Sequence, residues 1–103
     1  MGYIASMAKT KLKTTRYDSA EYLTSEKDMA AYLDAALEDG DPGVIRHALN
    51  AIARARGMTQ IARDSGIKRE SLYRALAENG NPEFTTVLKV VHALGLRLRT
   101  RPA

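Results

Sequence analysis

The chain of 103 residues is long enough for one small domain, and its 45% of hydrophobic residues can supply a modest helical core. It contains no cysteine, which excludes disulfide bonds and thiolate metal sites and fits a reducing, cytoplasmic compartment. No apolar run approaches membrane-spanning length and the N-terminus lacks a secretory signal's apolar block, so we expect neither a membrane protein nor an exported one.

The net charge of +4 is unevenly distributed along the chain. Residues 1–16 carry four basic side chains and no acid, and residues 17–43 carry eight acids and one lysine. Residues 44–103 carry eleven basic and four acidic side chains, as a phosphate-binding surface requires. The acidic part would repel DNA and could attract a basic protein.

Residues 1–16 show no hydrophobic periodicity, and we interpret them as a flexible basic tail. Such a tail is more often solvated and inert, although contact with phosphate remains an alternative. Met7 is a plausible second start, so residues 1–6 could come from an upstream start or an added segment.

The first predicted elements lie in the acidic part. Residues 19–22 could form a single turn, and Ser25 with Asp28 forms a box-like N-terminus for a helix that Gly40 ends. The apolar positions of this helix form one stripe at helical spacing, namely Met29, Tyr32, Leu33, Ala36 and Leu37.

A second helix begins at Asp41 and Pro42, which suit the N-cap and the first helical position. It extends to Arg56, and Gly57 ends it. Its buried stripe is predicted at Ile45, Ala48, Leu49, Ile52 and Ala53.

Two short helices, near residues 58–65 and 69–77, surround a tight turn and predict a helix-turn-helix motif over residues 58–77. Ala62 is small because the second helix crosses close above it, and Gly66 occupies a turn position that needs positive φ. Four residues are expected to face inward and set the angle between the helices: Ile61, Ile67, Leu72 and Ala75.

The outer face of the second motif helix is the candidate DNA-binding surface. Its residues are Lys68, Arg69, Glu70, Ser71, Tyr73 and Arg74. Arg69 and Arg74 suit guanine or phosphate contacts, with simple solubility as the alternative. Lys68 suits a phosphate contact, which carries no sequence information.

The remaining candidates on this face have two interpretations each. Glu70 could accept a hydrogen bond from cytosine N4 or pair with Arg74 one turn along the helix. Tyr73 could reach phosphate or a thymine methyl group, or pack over the turn. Ser71 is expected to pack or cap locally rather than read bases.

A last helix is predicted near residues 83–94, after the helix-breaking residues 79–82 and before Gly95. The side chains expected to be buried are Phe84, Val87, Leu88, Val91 and Leu94. Residues 96–100 then alternate apolar and basic, which is the period of a half-buried strand. A single strand must pair with another chain or lie against the core as an extended tail.

No pattern of residues predicts an enzyme, a cofactor or a metal site. His47 and His92 lie alone on separate helices, and we interpret both as surface residues. Nothing supplies a nucleophile, a base and an orienting group together. The acidic helix could present a surface to a basic partner, although a charge run is usually only solvated; its acids are Asp28, Asp34, Glu38 and Asp39.

Five stretches, residues 17–23, 38–42, 53–60, 69–76 and 81–96, carry a resemblance to a known family. On these motifs the chain resembles the HigA-like addiction-module antidote family, within the lambda-repressor-like (Xre) helix-turn-helix superfamily. The resemblance departs at two points. Thr59 and Gln60 lie two residues too close to Gly66 for the usual phosphate-binding glutamine, and Lys68 stands where Ser or Thr usually caps the recognition helix.

The resemblance implies an all-α, five-helix domain over residues 17–100 with a short C-terminal extended segment, followed by a tail at 101–103. It also implies an antitoxin that binds a RelE/ParE-like toxin, forms a homodimer on an inverted-repeat operator in double-stranded DNA and represses its own operon. Val90, Leu96 and Leu98 are candidates for the dimer interface. The alternatives are a stand-alone Xre-family transcriptional regulator and a protein-interaction module that no longer binds DNA.

Overall fold

The computed structural model describes residues 19–103, which form one turn of 3-10 helix and five α-helices, with no strand among them. This confirms the all-α, five-helix prediction for the described residues, whereas the tail predicted over residues 1–16 lies outside them. The elements are the 3-10 turn Ser19–Tyr22, α1 Glu26–Asp39, α2 Pro42–Arg56, α3 Met58–Ser65, α4 Arg69–Leu76 and α5 Phe84–Ala93. From residue 19 onward, no helix has the length and apolar character needed to span a membrane.

The ends of α1 and α2 lie where local chemistry predicts them. The Ser25 hydroxyl accepts a hydrogen bond from the Asp28 backbone N–H at 3.1 Å, so it caps the N-terminus of α1. Gly40 ends the helix with a φ of 82°, a left-handed conformation that favours glycine. The Asp41 carboxylate caps α2 by accepting from the Val44 N–H at 3.1 Å.

The core is organised around α2, which contacts every other helical element of the described chain. Its predicted stripe is confirmed, with Ile45 half-buried and the other four residues fully buried. The largest fully buried side chains come from four helices and the turn after α5: Leu49, Ile52, Ile61, Leu72, Leu76, Val90, Val91 and Leu94.

Three apolar residues differ from the prediction. Phe84 was expected to be buried but is 71% exposed, because it is the first residue of α5 and burial begins one turn later, at Val87. Val90 was a candidate for a dimer interface but is 0% exposed and belongs to the core. Leu37 is 40% exposed, since it lies at one edge of the stripe and α1 packs through the middle of it, at Met29, Leu33 and Ala36.

The C-terminal segment is extended but forms no strand within the described residues. Leu96 packs against the core, whereas Leu98 is 38% exposed. Arg101 Nη2 lies 3.6 Å from Asp34 Oδ2 and 3.8 Å from Glu38 Oε1, so the segment lies along α1. In the single chain described, the segment is an extended tail against α1.

Candidate nucleic-acid interface

The turn between α3 and α4 is formed by Gly66, as predicted. Gly66 has a φ of 76°, and its N–H donates to the Ala62 carbonyl at 3.0 Å. No atom lies within 4 Å of the position a Cβ would take, so the conformation alone requires glycine here. The Ser65 hydroxyl accepts from the Ile67 N–H at 3.2 Å and supports the exit from the turn.

The inward face of the motif joins the main core. Ile61 and Leu72 are completely buried, and Ile67 and Ala75 are partly buried. Because these side chains come from both motif helices, they hold α4 at a fixed angle to α3. The predicted inward set is therefore confirmed.

The outward face of α4 lies in solvent. Five of the six candidates are exposed, namely Lys68, Arg69, Glu70, Tyr73 and Arg74, and Ser71 is half-buried. Two arginines, a tyrosine and one acid, Glu70, of this eight-residue helix therefore share an accessible surface with Lys68 at its N-cap. Such a surface can approach a polyanion without any movement of the core.

Arg69 and Tyr73 form a pair one helical turn apart. The Arg69 guanidinium lies 5.4 Å from the centre of the Tyr73 ring, and its Nη2 donates to the Tyr73 hydroxyl at 3.3 Å. Tyr73 is thus held beside Arg69 on the outer face and does not pack over the turn. The contact limits the conformations of Arg69 and leaves other N–H donors of its guanidinium for a ligand.

Helical spacing allows Arg74 two partners, Glu70 and Ser71, and it pairs with Ser71. Its Nη2 donates to the Ser71 hydroxyl at 3.5 Å. No Glu70–Arg74 ion pair forms in the part of the chain that the structure describes, so the pairing alternative for Glu70 is not the one observed. Ser71 is half-buried and takes part in this local contact.

The N-terminus of α4 has no side-chain cap. Lys68 occupies the N-cap position and makes no capping hydrogen bond, as expected for a side chain without an acceptor. The first N–H groups of the helix and the charges of Lys68 and Arg69 therefore lie at the same end. This end attracts anions, because the helix dipole adds partial positive charge there.

Sequence reasoning missed the residues that hold the other end of α4. Arg46 Nη1 donates to the Ala77 carbonyl at 2.9 Å, and Asn50 Nδ2 donates to the Leu76 carbonyl at 3.2 Å. The only signal in the sequence is that Arg46 and Asn50 are polar and four residues apart on a helix that is otherwise mostly apolar.

Other polar residues of interest lie on α2, α3 and α5. On α3, Gln60 Nε2 donates to both Asp64 carboxylate oxygens, at 2.9 and 3.0 Å, and its Oε1 accepts from Arg63. His47 and His92 are exposed. Among residues 19–103, no three His, Cys, Asp or Glu side chains cluster with the geometry of a metal site.

Comparison with known proteins places the chain in a family. A family model described as a probable addiction module antidote protein matches residues 13–102. A protein of Haemophilus influenzae (strain ATCC 51907 / DSM 11121 / KW20 / Rd), named only as uncharacterized, is 51% identical over 85 residues, which cover 82% of this chain and 88% of that protein. No solved structure matches the chain. Because the family model spans almost its whole length, the chain belongs to the family of probable addiction module antidote proteins, the antitoxins that act on a partner toxin.

Proposed function

We propose that this antitoxin binds operator DNA through its helix-turn-helix, represses its own operon and neutralises a RelE/ParE-like toxin. The observation that carries the DNA-binding part is the exposed basic outer face of α4, which the core presents on a rigid support. Antidote family membership supports the toxin partner and a non-enzymatic role. The proposal places the protein in the cytoplasm, where it would encounter both partners, its promoter and an intracellular toxin.

Five residues of the outer face have a defined part in the proposed complex, and the sixth, Ser71, accepts a hydrogen bond from Arg74. Arg69 and Arg74 donate to the O6 and N7 atoms of guanine in the major groove. Lys68 and the uncapped N–H groups beside it contact phosphate and fix the register of the helix. Glu70 accepts from cytosine N4, and Tyr73 orients Arg69.

The proposed complex contains two copies of the chain. A recognition helix of eight residues reads only a few base pairs, so one copy gives little selectivity. A homodimer on an inverted repeat doubles the contacts, with half-sites about 34 Å apart, as in Xre-type and other helix-turn-helix dimers. Leu96 and Leu98 remain candidates for the interface, whereas Val90 is buried in the core.

The DNA-binding part is tested with the duplex upstream of the chain's own operon and a shuffled duplex of equal length. Arg69→Ala is expected to weaken operator binding by about 1–3 kcal/mol and to relax selectivity at one position in each half-site. Lys68→Ala is expected to weaken binding to both duplexes alike and to reduce the salt slope by about one.

Lys89→Ala is the matched control, because it removes an exposed lysine from α5 and leaves α4 intact. Unchanged affinity and selectivity in Arg69→Ala would contradict the assigned face of α4. A wild-type chain that binds neither duplex would leave a protein-interaction module as the better description, and equal binding to both duplexes would reject selective operator recognition.

The toxin part is tested by expressing the chain together with the adjacent reading frame of its operon. We expect a small RelE/ParE-like protein to co-purify with the chain and to lose its toxicity. If operator binding holds but no neighbouring protein binds the chain, the alternative of a stand-alone transcriptional regulator is correct instead.

A further inference from the structure

Three polar side chains of α2 form a ladder at the C-terminal end of α4. Arg46 and Asn50 donate to the Ala77 and Leu76 carbonyls, at 2.9 and 3.2 Å. Arg54 Nε donates to Asn50 Oδ1 at 2.8 Å and so holds the Asn50 amide with its NH₂ group toward α4. The three residues lie four apart and therefore share one face of α2.

The end of α4 depends on donors from outside the helix. A helix of eight residues has little stability of its own, and Lys68 supplies no cap at its start. Its C-cap Ala77 is extended, so the left-handed glycine cap found after α1 and α3 is absent here. The carbonyls at this end therefore need other donors. The helix α2 provides one to Leu76 and one to Ala77, and the Gly80 N–H also donates to the Ala77 carbonyl at 2.7 Å. The Arg46 charge also suits the negative end of the helix dipole.

We propose that Arg46 and Asn50 are positioning residues, which set the tilt of α4 and thereby the operator selectivity of the chain. The inference rests on the proposed DNA-binding function and deepens it. Bidentate contact with a base edge needs a guanidinium in one place, whereas a phosphate contact tolerates small displacements. Loss of the ladder therefore lowers the affinity for the operator more than the affinity for DNA of unrelated sequence.

The first experiment compares operator and shuffled duplexes for Asn50→Leu and Arg46→Met at one salt concentration. Loss of one hydrogen bond that orients α4 is expected to weaken operator binding about three- to tenfold and to leave shuffled-duplex binding nearly unchanged. Arg46→Lys keeps the charge and a donor, so we expect it to recover most of the selectivity.

Ser25→Ala is the matched control, because it removes the N-cap of α1 and destabilises the fold away from the motif. A purely structural role of the ladder would make all variants lose operator binding in proportion to their fall in Tm. Equal losses on both duplexes in Asn50→Leu would overturn the proposal, and so would an equal effect of Ser25→Ala.

The second experiment needs no DNA and follows amide hydrogen exchange in the full chain. Asn50→Leu is expected to speed exchange in α4 about three- to tenfold relative to α1, because the end of α4 has lost a donor. Unchanged protection of α4 would overturn the proposal, as would faster exchange without loss of selectivity. A wild-type chain without selectivity would instead reject the proposed DNA-binding function, while the exchange data would still show whether the ladder holds α4.

Discussion

At the scale of single residues, two glycines of the motif region serve different purposes. Gly66 has a positive φ and open space around it, so it is required for its conformation. Gly80 lies against the end of α4, where a Cβ would come within 2.6 Å of the Arg74 carbonyl oxygen and closer still to that of Ala75. Because both neighbours are backbone atoms, they cannot move aside as a flexible side chain would.

Gly80→Ala is therefore expected to lower the free energy of unfolding by about 1–3 kcal/mol, since the loop must move away from α4. Urea denaturation followed by circular dichroism measures the change. Asn79→Ala, an exposed neighbour in the same loop, is the control and should remain within about 0.5 kcal/mol of the wild type. A fully stable Gly80→Ala would show that the loop does not lie on the end of α4.

At the scale of helices, α4 differs from α1 and α2 in how its N-terminus is capped. Ser25 and Asp41 cap their helices with side-chain oxygens, whereas Lys68 leaves the first N–H groups of α4 without a side-chain acceptor. The helices α3 and α5 also lack a side-chain cap, and α4 differs from them in carrying the basic residues Lys68 and Arg69 at its start, which we attribute to the proposed function. A capping oxygen at position 68 would take up N–H groups that can contact a phosphate, and it would remove a positive charge from the same end.

Lys68→Ser is accordingly expected to change stability and DNA binding in opposite directions. The serine hydroxyl can cap α4 and raise the free energy of unfolding by about 0.5–2 kcal/mol, while the lost charge weakens binding to any duplex. Lys68→Ala is the control because it removes the charge and adds no cap. If Lys68→Ser and Lys68→Ala unfold at the same urea concentration, another group already satisfies the start of α4.

At the scale of the whole molecule, the packing of α5 decides which of its apolar residues belong to the core. Val90, Val91 and Leu94 are almost completely buried, whereas Phe84 at the start of the helix is 71% exposed. Phe84, the largest apolar side chain of α5, is thus outside the core, whereas the smaller Val90 is inside it. Area removed from water, rather than side-chain size, determines their contribution to stability.

Val90→Ala is expected to lower the free energy of unfolding by about 1–3 kcal/mol, because it removes two buried methyl groups and leaves a cavity. Phe84→Ala should change it by no more than about 0.5 kcal/mol. Thermal and urea unfolding of both variants at low protein concentration measure the difference. A larger loss in Phe84→Ala than in Val90→Ala would contradict the packing of α5.

The outer face of α4 was predictable in large part. Ile61 on α3 and Leu72 on α4 are fully buried and fix which side of the motif faces inward, and helical spacing then places residues 68–74 relative to that side. The contacts within that face were not predictable. Arg74 bonds Ser71 where spacing also allowed Glu70, because exposed pairs of similar energy differ too little for sequence to choose between them.

The amino-acid sequence by itself determined the helices and their ends, from the Ser25 cap to the Gly66 turn. These features depend on groups within about four positions along the chain, so local chemistry is sufficient. Only the tertiary structure decided that Val90 is buried, that Arg101 lies beside α1 and that Arg46 reaches the end of α4. Each of these depends on how helices distant in sequence approach one another, and residue spacing within a single helix carries no information about that approach.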